Sequence, residues 1–74
     1  MKRNTVNVLE VINGTLSQLI AYDDEGEGNR LAEIRFTRLA RENGALGTEI
    51  EDYIIDGYFS AGLGYELYII HSGD

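Results

Sequence analysis

The sequence predicts an α+β domain, an antiparallel sheet with helices over one face, and three observations carry that expectation. Two β-branched runs, Thr5 to Ile12 and Thr15 to Tyr22, flank Asn13-Gly14, the strongest short-range signal for a β-hairpin. Arg30 to Asn43 holds four of the six basic residues and repeats its apolar residues at helical spacing. A closing run, Tyr65 to Ile70, is apolar on both faces except at Glu66, as a strand inside a sheet requires. The expected order is β-β-α-α-β-β in two layers: a three- or four-stranded, mainly antiparallel sheet, one main helix and one short helix. Residues 1–74 make a single small acidic domain, near the lower size limit for an unstapled apolar core, so association is an expected aid.

In the first hairpin a two-residue turn sets Ile12 opposite Thr15. Leu9, Val11, Leu16 and Ile20 then share one face, and Val6, Val8, Ile12, Leu19 and Ala21 the other. Asn7, Glu10, Ser17 and Gln18 interrupt both faces, so the pattern leaves open which one meets the core. The acidic loop Asp23-Asp24-Glu25-Gly26-Glu27 leads to Asn29, a good N-cap, and to a helix ending at Asn43 with Gly44 in the left-handed cap. Ala32, Phe36, Leu39 and Ala40 form its burying face with Leu31 at the margin, while Arg30, Arg38 and Arg41 point away. Acid before a helix and base late in it complement the macrodipole, each exposed charge contributing about 0.3–1 kcal/mol.

Thr48 and Glu51 fit a capping box for a short helix from Thr48 to Asp56, stopped by Gly57, with Ile50, Tyr53 and Ile54 as its apolar stripe. A strand through Tyr53-Ile54-Ile55 is the competing assignment. Tyr58 to Ser60, a turn over Ala61 to Gly64, and Tyr65 to His71 make a last hairpin whose long arm belongs beside the first strand.

The net charge of −7 argues against direct binding to nucleic-acid backbone, which requires Lys and Arg to neutralise phosphates, and favours a neutral or basic protein partner. The absence of cysteine excludes disulfides and thiolate metal sites and suits a cytoplasmic protein. No apolar run approaches the length of a secretory core or membrane span, so no membrane association is expected.

No catalytic set emerges. His71 is the only histidine, and Ser72 beside it points to the opposite face of a strand. Asp23, Asp24, Glu25 and Glu27 offer hard oxygen ligands, but an EF-hand register from Asp23 would need Glu where Ile34 stands. A solvated loop feeding a helix N-terminus is the simpler reading, and whether the loop holds a divalent ion stays open. Gly62-Leu63-Gly64 and Gly26-Glu27-Gly28 are too short for a nucleotide fingerprint and lack its Lys. Glu49, Glu51, Asp52 and Asp56 suit a solvated helix face better than a glycosidase carboxylate pair. The expectation is a non-enzymatic protein without cofactor or metal.

Tyrosine is the feature that points outward. Tyr53, Tyr58, Tyr65 and Tyr68, interleaved with Asp56 and Glu66, are the candidate interface residues, because tyrosine adds apolar area with a polar tip. The alternative is that these rings line a modest core.

The hairpin, the acidic loop, the Arg-rich helix closing in Ala40-Arg41-Glu42-Asn43-Gly44, the short helix, Asp56-Gly57-Tyr58 and the final Tyr65-Glu66-Leu67-Tyr68-Ile69-Ile70-His71-Ser72 together resemble short uncharacterised proteins of phages and bacterial mobile elements. The likeness is one of layout over Val8 to Ser72 and implies a bacterial cytoplasm and a modulator of a host protein. The expected function is therefore a small protein-interaction module using its uncovered sheet face, as a homodimer or with another protein. The alternative is an acidic nucleic-acid mimic that blocks a DNA- or RNA-binding protein, although Arg30, Arg38 and Arg41 argue against a uniformly negative surface.

Overall fold

The computed structural model describes residues 4–24 and 27–72. In chain order it contains β1 (Thr5–Ile12), β2 (Thr15–Asp23), α1 (Gly28–Glu42), a 3-10 turn (Gly47–Glu49), α2 (Ile50–Asp56), β3 (Tyr58–Gly62) and β4 (Tyr65–Ser72). The strands form one antiparallel sheet in the order β2-β1-β4-β3, which is the two-layer α+β architecture and the β-β-α-α-β-β order expected from the sequence. The long closing strand sits beside β1 at the centre, where its apolar residues are shared between two faces.

The first hairpin closes on Asn13 (φ 53°) and Gly14 (φ 78°), a left-handed pair matched to strand twist. Its register departs from the simple expectation. Thr15 and Leu16 face Ile12 and Val11, but the pairing then shifts, leaving Ser17 as an extra residue, and Gln18 faces Glu10, Leu19 faces Leu9 and Ile20 faces Val8. A one-residue bulge exchanges the two faces of everything beyond it. Ile20 therefore joins Val6 and Val8 on the helix side, and Leu19 and Ala21 join Leu9, Val11 and Leu16 on the other. The burial term explains the choice: the bulge turns Tyr22 toward the core cluster in place of Ala21, which stays exposed.

Helix α1 covers the inner face with Ala32, Phe36 and Ala40 fully buried and Leu39 packed beside them. It begins two residues earlier than expected, at Gly28 rather than Arg30. Glu27, in helical conformation and without a side-chain bond, holds the cap position, and Asn29 lies inside the first turn, so the expected Asn29 cap is absent. Gly28 is required there by close approach, since a Cβ would collide with the carbonyl of Asp23. The helix ends as expected: Gly44 (φ 99°) donates to Arg41 O at 3.2 Å and Ala45 to Ala40 O at 3.0 Å, the paired bonds of a Schellman stop.

The Thr48–Glu51 capping box is also absent. Thr48 sits within the 3-10 turn, Glu49 holds the cap position of α2 without a side-chain bond, and the Glu49 carboxylate instead accepts from Tyr53 Oη at 2.9 Å. Ile50, Tyr53 and Ile54 nonetheless form the packing stripe of α2, so helix prevails over the competing strand. Gly57 (φ 77°) stops it by donating to Tyr53 O at 2.8 Å. Phe59, Leu67 and Ile69 complete the core from β3 and β4, with Tyr53 edge-on to Phe59 at a centroid distance of 4.9 Å.

Candidate interaction surface

With both helices on one side, the opposite face of the sheet has no covering layer among the described residues. The observed registers place Leu9 and Val11 of β1, Leu16, Leu19 and Ala21 of β2, Glu66, Tyr68 and Ile70 of β4, and Tyr58 and Ser60 of β3 on that face. Leu16 and Leu19 are each 52% exposed, Ile70 44% and Tyr58 39%. An apolar stripe thus crosses all four strands, and in its middle the only charged side chain is Glu66. Such contiguous apolar surface, rather than a single exposed leucine, is the mark of a contact site.

Local bonds hold the patch in shape. The Tyr58 and Tyr68 rings lie against each other at 5.1 Å between centroids, tilted by 45°. Tyr68 Oη donates to Glu66 Oε1 at 3.2 Å, and desolvation, followed by the charge of Glu66, raises the Tyr68 pKa above its ordinary value. At the far end Asn7 Nδ2 donates to Ser72 Oγ at 3.1 Å.

The six interface candidates divide between surfaces. Tyr58, Tyr68 and Glu66 stand together on the open face. Tyr65 lies on the helix side against the core, its hydroxyl donating to Glu10 Oε2 at 2.7 Å, and burial followed by that bond pushes its pKa well above the ordinary value. Tyr53 packs on Phe59 and bonds Glu49, which raises its pKa chiefly through the hydrogen bond. Asp56 is exposed at the end of α2. Leu9, Val11, Leu16, Leu19 and Ile70 were not among the candidates. The signal for them was present, a sheet apolar on both faces, but choosing between the faces depended on the Ser17 bulge.

His71 is exposed, with Nδ1 3.5 Å from Asp24 Oδ2. Among the described residues no group of three His, Asp or Glu side chains is placed to hold a metal, and Glu25 and Gly26 of the acidic loop lie outside those residues. On the helical side an open groove of about 560 Å³ runs along α1, with Ile34, Thr37 and Ile54 between Arg30, Arg38 and Arg41. Glu33 and Glu42 share this groove, and Arg38 Nε lies 3.8 Å from Glu42 Oε2, an exposed pair that contributes little. No helix is long and apolar enough to cross a membrane among the described residues. No protein-family model, no curated protein and no solved structure matches the chain.

Proposed function

We propose that this chain is a small non-enzymatic interaction module that docks a protein partner on the open face of its sheet. The observation that carries the reading is the apolar stripe from Leu16 and Leu19 through Leu9 and Tyr68 to Tyr58, left uncovered because the helices among the described residues lie on the other side of the sheet. Aromatic anchors with neighbouring aliphatic residues and a single embedded carboxylate have the composition of an interface core. The partner surface should be apolar at its centre, with a donor for Glu66.

The resemblance of the sequence layout to short phage and mobile-element proteins favours, within this proposal, a host protein of the bacterial cytoplasm as the partner, with this chain as its modulator. A nucleic-acid mimic is the weaker reading, because all four described arginines lie on α1 and interrupt any continuous row of carboxylates. Affinity capture from bacterial lysate with wild-type and Ile70→Lys baits tests the proposal. Proteins retained by the wild type and lost with the variant support it; identical sets from both baits, or none from either, contradict it.

A further inference from the structure

We propose that β2 is a self-recognition edge: two copies pair β2 to β2, antiparallel about a two-fold axis, joining two four-stranded sheets into one. This goes beyond the face-docking reading, since pairing at the edge leaves the open face free.

The sheet order leaves β2 and β3 as edge strands. β3 has five residues and is broken by a register shift between Ser60 and Gly62, two common ways of blunting an edge. β2 is nine residues long and has neither proline nor a basic residue, and its sole charge is Asp23 at its end. The bulge at Ser17 interrupts only its first third, so Gln18 to Tyr22 is an unguarded strand.

The main chain of that segment faces outward in a defined pattern. Asp24 N–H donates to Asn4 O at 3.0 Å. Counting back by twos along the antiparallel ladder turns the main-chain groups of Tyr22 and Ile20 toward β1, and those of Leu19 and Ala21 toward the side where no strand lies among the described residues. An extended segment added there would satisfy them.

A second copy fits for two reasons. Two molecules of charge −7 repel wherever their carboxylates meet, and Thr15 to Tyr22 contains no charge at all. The segment is also complementary to itself. With the axis at Ile20, Leu19 faces Ala21 of the other copy on the open side, and these are the residues whose main-chain groups point outward, so each pair exchanges both hydrogen bonds. Gln18 then faces Tyr22, and Ile20 its own counterpart, on the helix side. Because the axis is perpendicular to the sheet, both apolar faces end on the same side and join into one surface.

The test is light scattering over a concentration series, paired with residue-resolved amide exchange. The mass should rise from one copy to two, at high salt as well as low, with Leu19 and Ala21 amides protected only where the dimer is populated. Ala21→Pro removes an outward N–H without touching the β1 ladder, and should remain folded and monomeric; Ile70→Lys, on the face and away from the edge, should still dimerise. A monomer at every concentration overturns the inference. So does a dimer that Ile70→Lys abolishes and Ala21→Pro spares, a result that would keep the face-docking reading. Should Ala21→Pro fail to fold, amide exchange in the wild type decides: Leu19 and Ala21 amides that exchange equally fast in monomer and dimer also overturn it.

Discussion

Leu19 faces Leu9 across the β1–β2 ladder, on the side of the sheet away from α1. The pairing exists because Ser17 has no partner on β1, and every residue of β2 beyond it takes its face from that offset. Tyr22 thereby packs on the core while Leu19 stands in solvent. Tyr22→Ala should cost about 2–3 kcal/mol, somewhat below the usual penalty for deleting a fully buried aromatic ring. Leu19→Ala should cost less than about 1 kcal/mol, as surface substitutions do. Urea unfolding of the two variants checks the register, and the reverse ranking would mean that the bulge does not form.

Gly57 terminates α2 and is the single residue between it and β3. It holds φ 77°, its carbonyl accepts from Ile69 N at 3.0 Å, and a Cβ would approach Ile69 O to 2.9 Å. Gly57→Ala combines the left-handed penalty of about 1–2 kcal/mol with a backbone contact that neither partner can relieve alone. A loss of at least that size in chemical unfolding is the expected result, and a neutral substitution would contradict the close approach of Gly57 to Ile69 of β4.

The second hairpin turns on Leu63 (φ 53°) and Gly64 (φ 85°), and Leu63 is fully exposed. A leucine in that conformation is strained where asparagine is at ease. Leu63→Asn should therefore stabilise the protein by about 1 kcal/mol, a rise of roughly 4–8 °C in Tm for a domain of this size. Loss of partner capture in the same variant would assign the strained tip a role in binding.

Alkaline pH should loosen the fold through Tyr65. Its folded pKa lies above the unfolded value because burial and the bond to Glu10 favour the neutral phenol. The stabilisation is thus complete below the unfolded pKa of about 10 and lost as pH rises through the folded one. Stability of the wild type should fall above that point, and Tyr65→Phe, which has nothing to ionise there, should fall less steeply. Parallel pH profiles would remove Tyr65 from the cause.

Much of the fold was legible because local chemistry and burial agree. Asn13-Gly14 requires a tight turn, Gly44 closes a helix whose Ala32, Phe36 and Ala40 share a stripe, and the apolar strand Tyr65 to Ile70 finds a place only between neighbours. The helix starts were less so, since Asn29 and Thr48 have capping chemistry but the close packing of Gly28 on Asp23 and the 3-10 turn before Ile50 set the boundaries. The interface candidates divided for a similar reason. Tyrosine composition does not specify a face, and strand alternation could not do so until the unpaired Ser17 fixed which side of β2 is buried.

The most direct measurement of the central claim is the affinity of a captured partner for the wild-type protein as a function of salt concentration. Docking through the apolar stripe around Leu9, Leu19 and Tyr68, with Glu66 as its one embedded carboxylate, predicts an affinity that depends only weakly on salt, because few ion pairs form at such a surface. A steep fall in affinity with salt would instead put the contact on the carboxylates of α2 or the arginines of α1 and contradict the account.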